Sequence, residues 1–348
     1  MDSGRECLKA AWERLTEEFW DRGRAAFYES RPRRAGDPVW AYNWGFGAVL
    51  SAAGAVWQAL AEPPWLLPDL IALRTALRGY SRPRLGYAST SQWVAPGDTF
   101  YDDNAWIGLA AIDLRTVAEW EPVAWETYQY LLEGWDPASG GVFWKEHPKA
   151  SWHVCSTGPA ALLGALLYRI DSSRVQLGPI RGMLQWLDRL RAPDGRYWDH
   201  QRVSDGQINP AFHTYNAGTP IHAMAVLEEA KLPGFDFRPQ VEATIAALPA
   251  FLTAEGALPP TPWFNAVLLR ALKTAKMVYG IDSELLPLYR RAAADAWRGG
   301  DDHPFILPSR DTRDGVMLRD AAASVEILAL LEGFPAGQPA ASGGDDGC

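Results

Sequence analysis

The sequence predicts an all-α protein, an (α/α)6 toroid in a single domain, and three observations lead to this fold class. Apolar residues recur with the 3.6-residue period of a helix along most of the 348 residues, and almost no stretch alternates as a strand does. Short and long connections alternate between the predicted helices. Every second helix is apolar around most of its circumference, as expected for a helix enclosed by others.

The predicted helices number about twelve, with lengths ordinary for globular proteins. They are expected at residues 5–29, 42–61, 65–79, 103–116, 119–134, 156–171, 174–191, 218–231, 237–254, 262–280, 283–297 and 319–333. Long connections follow the odd-numbered helices, at residues 30–41, 80–102, 135–155, 192–217 and 298–318. The connection near 255–261 is the weak member of that series, and short links such as 62–64 follow the even-numbered helices.

The even-numbered helices are rich in small apolar residues, as the segments 158–167 and 321–330 illustrate. Helices of this kind belong on the inside, whereas the one-sided, odd-numbered helices belong on the outside. An alternation of inner and outer helices around a ring is an (α/α)6 toroid. Each long connection then leads into the N-terminus of an inner helix, so six N-termini gather at one rim, where their dipoles favour carboxylates.

The composition bears on the partner. The net charge of −9 argues against nucleic acid and anionic membranes, and no apolar run is long enough to cross a bilayer. A neutral polymer fits better, and carbohydrate is the obvious one. Many of the 17 tryptophans fall in predicted loops, where an indole either presents a flat face to a sugar ring or fills a gap between helices.

The domain is expected to cover residues 1–333, followed by a disordered Pro/Gly/Ser-rich tail at 334–348. The N-terminus lacks the apolar core of a signal peptide, which predicts a cytoplasmic protein as the sequence stands, or a secreted one if a leader has been removed. We expect a monomer that inserts into no membrane.

Two adjacent carboxylates, Asp102 and Asp103, stand among aromatic residues where a long connection meets an inner helix. Burying two neighbouring charges is costly unless their environments differ. A pair with one ionised and one protonated member is what a glycosidase uses. Helix capping is the alternative, because Asp is favoured at an N-cap and in the first turn.

The segment Tyr101-Asp102-Asp103-Asn104-Ala105-Trp106 resembles the signature of glycoside hydrolase family 76, the endo-α-1,6-mannanases. Further segments follow in the family's order: Tyr42-Asn43-Trp44-Gly45, Gly140-Gly141-Val142-Phe143-Trp144, Ser156-Thr157-Gly158-Pro159-Ala160, Asp194-Gly195-Arg196-Tyr197-Trp198-Asp199 and Thr214-Tyr215-Asn216-Ala217-Gly218-Thr219. The resemblance covers roughly residues 10–333 and implies the same (α/α)6 fold.

The resemblance implies that Asp102 is the nucleophile and Asp103 the general acid/base of a retaining hydrolase acting on α-1,6-mannan or a related mannoside. Neighbouring Asp side chains can lie about 5 Å apart, the separation associated with retention. The candidates for sugar contacts are Asn43, Asp199, Tyr215 and Asn216 for hydroxyl groups, Trp44, Trp106, Trp144 and Trp198 for stacking, and Tyr101 of the signature itself. The alternative roles are helix capping for Asn43, Tyr215 and Asn216, a turn for Asp199, and the core for the four tryptophans.

Two other functions remain open on this scaffold. A sugar epimerase similar to N-acylglucosamine 2-epimerase would use histidines, with His200 and His213 as candidates. A glycan-binding protein without catalysis is suggested by the residues at 156–158 and by Ala217, which differ from the family pattern.

No cofactor and no metal are expected. His147, His153 and Cys155 lie close in sequence, but their spacing matches no established zinc pattern.

Overall fold

The computed structural model describes residues 2–232, 235–298, 307, 309 and 315–332. The expected tail at 334–348 lies outside the described residues. The helices are α1 (Asp2–Phe19), α2 (Asn43–Ala59), α3 (Leu67–Arg78), α4 (Tyr101–Asp113), α5 (Trp120–Glu133), α6 (Val154–Ile170), α7 (Leu177–Arg189), α8 (Thr214–Glu229), α9 (Arg238–Ala247), α10 (Pro262–Tyr279), α11 (Leu286–Arg298) and α12 (Leu318–Glu332). None of these described helices is both long and apolar enough to cross a membrane.

Short strands lie in the connections between the helices. They are β1 (Trp20–Asp21), β2 (Ala26–Phe27), β3 (Ser30–Arg31), β4 (Ser151–His153), β5 (His200–Arg202), β6 (Ile208–Asn209) and β7 (Val316–Met317). Three antiparallel sheets result: β1 with β2, β3 with β7, and β4–β5–β6. The expectation of almost no strand missed them, because two or three residues are too few to show an alternating pattern.

The even-numbered helices form a closed ring. Each of α2, α4, α6, α8 and α10 packs on the next one in that order, and α12 packs back on α2. The outer helix α1 packs on α12, α5 on α4 and α6, α7 on α6, and α9 on α8. This arrangement confirms the predicted (α/α)6 toroid.

Burial separates the inner helices from the outer ones. In α6, 13 of 17 residues are buried, whereas only five of the 13 residues of α7 are. Small residues let the inner helices approach closely. A Cβ atom at Gly108 of α4 would lie 2.5 Å from the side chain of Leu163 in α6, so a larger residue would push these helices apart.

The predicted first helix, 5–29, is wrong at its C-terminal end, because α1 ends at Phe19. The carboxylate of Asp21 accepts a hydrogen bond from the backbone N–H of Arg24 at 3.0 Å and closes a turn between β1 and β2. Trp20 and Phe27 then stack face to face across the hairpin, with ring centroids 4.9 Å apart. Their sequence spacing imitates a helical period, so periodicity alone did not reveal the turn.

A buried arginine ties four inner helices together. The guanidinium of Arg270 in α10 donates hydrogen bonds to Glu326 in α12, to Asp113 of α4 at 2.6 Å and to the carbonyl oxygen of Ser51 in α2 at 3.0 Å. The Glu326 side chain is fully buried, so it depends on Arg270 for charge compensation. Burial alone would lower the pKa of Arg270, but Asp113 and Glu326 hold it above its ordinary value.

We predict that Arg270→Met destabilises the fold by about 3–5 kcal/mol, because it leaves the buried Glu326 carboxylate without a partner. Urea unfolding followed by circular dichroism measures the change. Arg169→Met is the matched control, since Arg169 and Glu229 form an exposed ion pair that should contribute less than about 1 kcal/mol. Equal losses in the two variants would contradict the role given to Arg270.

Candidate active site

A cavity of about 790 Å³ opens where the inner helices begin. The first turns of all six inner helices line it, together with the connections that precede α2, α4, α6, α8 and α12. The expected gathering of inner-helix N-termini thus encloses a cavity within the range of small-molecule sites, roughly 300–1,000 Å³.

Asp102 and Asp103 occupy the first turn of α4, and both line the cavity. The helix begins at Tyr101, two residues earlier than predicted. Its N-cap position is taken by Phe100, and no side chain caps it, so neither aspartate is the N-cap. Both lie in the first turn, where the helix dipole favours a carboxylate, so that half of the structural alternative holds beside a role in the cavity.

The two oxygens of the Asp102 carboxylate differ in their surroundings. Oδ2 accepts a hydrogen bond from Trp144 Nε1 at 3.3 Å and one from the Cys155 thiol at 3.4 Å. Oδ1 is buried and has no hydrogen-bond partner among the described residues. One oxygen is therefore held in place, and the other is a buried acceptor without a partner among the described residues.

The two aspartates also differ in how strongly they hold a proton. Burial raises the pKa of Asp102 to about 6, against the hydrogen bonds from Cys155 and Trp144, which favour the anion. Burial raises the pKa of Asp103 well above its usual value, and the nearby charges of Asp102 and Glu29 raise it further. Near neutral pH the pair therefore favours an ionised Asp102 beside a protonated Asp103.

Glu29 is a further acid in the lining, and it was not predicted because it fell inside the expected first helix. It precedes β3, whose pairing with β7 places Ser30 opposite Met317 next to the start of α12. Glu29 Oε2 accepts the backbone N–H of Tyr42 at 2.9 Å, and burial raises the pKa of this side chain to about 7.

Histidines and Asp199 form one wall of the cavity. The register of β4 and β5 sets His153 opposite His200, and their rings stack with centroids 4.3 Å apart. Asp199 Oδ2 lies 2.8 Å from His200 Nδ1, and Asp199 Oδ1 accepts a hydrogen bond from Asn216 at 3.3 Å. Burial lowers the pKa of His153 to about 3, so its imidazole is neutral.

Aromatic rings form much of the remaining wall. Phe264 packs against Tyr215 at 4.2 Å and against Trp44 at 6.2 Å between ring centroids. Trp106 meets Trp263 edge to face at 5.5 Å. Trp144 lines the cavity with 38% of its surface exposed and stacks on His153 at 5.2 Å between ring centroids.

Seven of the eleven predicted site residues line the cavity: Trp44, Asp102, Asp103, Trp106, Trp144, Asp199 and Tyr215. The roles assigned to these residues stay predictions.

Four predicted site residues are not in the lining. Asn43 is fully buried, and Tyr101 stacks on Tyr130 in the core with 1% of its surface exposed. Trp198 is half-buried against the core, with its backbone N–H bonded to Leu190 at the end of α7. Asn216 is fully buried and reaches the cavity only through Asp199. Neighbours on a helix point about 100° apart, so membership in one motif does not place every side chain on one face.

Three further lining residues were not predicted, although their positions in the sequence carry a signal. Trp263 and Phe264 lie in the first turn of α10, and Arg319 lies in the first turn of α12, with its guanidinium 4.6 Å from the Trp44 ring. The rule that drew attention to Asp102, a functional side chain in the first turn of an inner helix, applies to all three.

The cavity combines aromatic walls with two acids that differ in protonation, on an (α/α)6 toroid. These are the features of a glycoside hydrolase, and that is the class of this protein. The sequence profile of glycosyl hydrolase family 76 matches residues 8–331, and the chain belongs to that family. No curated protein sequence matches the chain.

Solved structures share the fold. A family 76 glycoside hydrolase from a bovine Bacteroides thetaiotaomicron strain is 23% identical with a TM-score of 0.83, over 95% of this chain and 77% of the other. A family 76 mannosidase from Bacteroides thetaiotaomicron is 21% identical with a TM-score of 0.80, over 94% and 98%. An inactive α-1,6-mannanase variant from Salegentibacter, in complex with α-1,6-mannotriose, is 19% identical with a TM-score of 0.79, over 95% and 100%.

The raised pKa of Asp103 makes a prediction about stability. Ionising this side chain opposes folding once the pH exceeds its usual value of 3.8, whereas Asp103→Asn stays neutral. Relative to the unmodified protein, the variant should therefore gain at least about 1 kcal/mol in free energy of unfolding between about pH 4 and about pH 8. Urea titrations at both pH values measure it, and Glu126→Gln controls for loss of an exposed surface charge. A gain that does not grow with pH would contradict the prediction.

Proposed function

We propose that this protein is a retaining glycosidase that cleaves α-1,6-mannosidic linkages in mannan-like glycans. The observation that carries the proposal is the difference between the two aspartates: Asp102 accepts hydrogen bonds from Trp144 and Cys155 that favour its anion, and Asp103 favours the protonated form. Two structural neighbours are described as a mannosidase and an α-1,6-mannanase. The inactive variant of the latter has two aspartates at consecutive positions replaced by asparagine.

The proposed reaction has two steps. The Asp102 carboxylate attacks the anomeric carbon while Asp103 donates its proton to the departing O6, and the glycosidic bond breaks as the glycosyl–enzyme ester forms. Asp103, now an anion, then takes a proton from water, and the water oxygen displaces Asp102 from the anomeric carbon. Two inversions leave the product in the configuration of the substrate.

Trp144 and Cys155 have a positioning role in this scheme. Both donate to Asp102 Oδ2, which restrains the orientation of the carboxylate. Their hydrogen bonds also favour the anion and lower the pKa of Asp102 against the effect of burial. The aromatic wall of Trp44, Phe264 and Tyr215 supplies apolar faces suited to sugar rings.

Histidine-based epimerisation is the second candidate, because His200 and His213 line the same cavity. Epimerisation cleaves no glycosidic bond, and it should survive replacement of Asp102. A glycan-binding protein without catalysis would bind mannooligosaccharides and release no product. Membership in a glycosyl hydrolase family and the differing aspartates both favour hydrolysis.

The first measurement is hydrolysis of linear α-1,6-mannooligosaccharides followed by NMR of the anomeric protons. Early products with the α configuration are expected, and β products would contradict the retaining scheme. Asp103→Ala should lower kcat by roughly 10²–10⁴-fold, the range for a general acid–base group. Asp102→Ala should abolish turnover, because no nucleophile remains.

An activated substrate separates the two roles. A 2,4-dinitrophenyl α-mannoside needs no protonation of its leaving group, so Asp103→Ala should release dinitrophenol rapidly and Asp102→Ala should not. Asp98→Asn is the control, since this side chain is 54% exposed and is not part of the cavity lining. Equal activity of the two alanine variants on this substrate would refute the assignment.

Removal of the Cys155 donor should shift the pH dependence of the reaction. Activity is lost as the pH falls through the pKa of Asp102, about 6, because the nucleophile becomes protonated. Cys155→Ala removes a hydrogen bond that lowers this pKa, so the acidic limb of kcat/KM should move to higher pH and leave a few-fold lower rate at about pH 5. Cys155→Ser keeps a donor and should stay near the original profile. Identical profiles for both variants would argue against the positioning role.

A further inference from the structure

Glu29 is a buried acid of the cavity to which the two-step reaction gives no role. Its backbone is fixed on both sides, because its N–H donates to the carbonyl oxygen of Val39 at 3.2 Å and its own carbonyl oxygen accepts the N–H of Leu318 at 3.0 Å. Its carboxylate accepts the N–H of Tyr42 through Oε2 at 2.9 Å. These three hydrogen bonds hold the side chain at one position in the lining, with 7% of the residue exposed.

The carboxylate of Glu29 has fewer partners than its burial calls for. An ionised carboxylate can accept about four hydrogen bonds, yet the N–H of Tyr42 is the one donor that reaches it within the part of the chain that the structure describes. No Lys or Arg side chain of that part forms an ion pair with it either. Buried charges are normally paired or hydrogen-bonded, so the remaining partners have to come from the cavity side. A glutamine would accept the Tyr42 N–H equally well, so the fold alone does not require an acid here.

The aromatic wall begins next to this carboxylate. A Cβ atom at Gly45 would lie 3.4 Å from Glu29 Oε2, so the carboxylate lies against the first turn of α2, which also carries Trp44. The Trp44 ring packs against Phe264 with centroids 6.2 Å apart, and both residues line the cavity. A sugar ring has an apolar face and a rim of hydroxyl groups, so an aromatic face beside a fixed acceptor matches both.

We propose that Glu29 is a substrate-binding residue, whose carboxylate accepts a hydrogen bond from a hydroxyl group of a sugar ring that packs on Trp44. The inference rests on the proposed function, since the sugar is taken to be a unit of an α-1,6-mannoside. Asn43, which was expected to make such a contact from the same turn of α2, is fully buried. Hydrogen bonds to an ionised carboxylate are about twice as strong as neutral ones, so a single contact of this kind contributes measurably to affinity.

Calorimetric titration with α-1,6-mannotriose tests the contact, in an Asp102→Asn protein that cannot turn the ligand over. Adding Glu29→Gln keeps an oxygen for the Tyr42 N–H and removes the charge, so Kd should rise roughly tenfold. Glu18→Gln is the matched control, because this acid is exposed near the end of α1, and it should leave Kd unchanged.

Monodeoxy derivatives of the mannotriose identify the hydroxyl group that Glu29 contacts. One derivative should bind the Asp102→Asn protein more weakly than the parent mannotriose does. The same derivative and the parent should bind equally well once Glu29→Gln is added, because the acceptor for that hydroxyl group is then already lost. A purely structural role of Glu29 would leave the effect of every deoxygenation unchanged.

Urea unfolding at about pH 8 checks that the Glu29→Gln protein is folded. Burial raises the pKa of Glu29 to about 7, so ionisation of this side chain opposes folding as the pH rises above its ordinary value of 4.5. The neutral variant should therefore be at least as stable as the protein that keeps Glu29. A loss of stability without a loss of affinity would overturn the proposal.

Hydrolysis by the unmodified protein keeps the two proposals apart. If Glu29→Gln binds mannotriose as tightly as the Glu18→Gln control does, the inference is overturned, whether or not mannosides are cleaved. Binding without cleavage, with affinity lost in Glu29→Gln, supports the contact and overturns only the proposed function. A protein that neither binds nor cleaves these mannosides overturns both.

Discussion

Closure of the inner helical ring is the constraint on which the rest of this structure depends. Six helices that each touch two inner neighbours must be apolar on most sides, as α6 is, and small where they approach closely, as at Gly108. Polar chemistry is therefore confined to the helix ends and the connections between them. Arg270 is an exception inside the ring, and it is compensated by Asp113 and Glu326. The N-termini of the ring provide the opposite environment, with free N–H groups and connections long enough to carry side chains over the opening.

The same burial that stabilises the ring creates the reactivity at its rim. Asp102 and Asp103 are neighbours in sequence, yet donors surround Asp102 while charges of the same sign lie near Asp103. Removal of water raises both pKa values, and the unequal surroundings separate them. The protein thus accepts a local loss of stability at the carboxylate pair, and the extensive apolar contact between the helices compensates for it.

The fold could be predicted from the sequence because a closed toroid requires two alternating patterns. Helices that are apolar on most sides alternate with one-sided helices, and long connections alternate with short ones. It also predicted Asp102, Asp103 and five further residues that line the cavity. These residues belong to recognisable motifs or are aromatic. It failed where tertiary pairing decides. Glu29 enters the cavity through the β3–β7 pair, and His153 meets His200 through the β4–β5 pair. Strands of two or three residues leave no local pattern, so no reading of spacing could have revealed either contact.

The β4–β5–β6 sheet has a consequence for how this wall can change. Side chains alternate between the two faces of a strand, so a one-residue insertion ahead of β4 would slip the register and exchange the face of His153 with that of Trp152. The connections before α6 and α8 therefore have to change together, because a length change in either one alters the side chains that both present to the cavity. A directed-evolution library that changes the length of only one connection would mostly yield strands paired in the wrong register. Paired length changes in both connections would keep the strands paired while altering the cavity wall that meets the substrate.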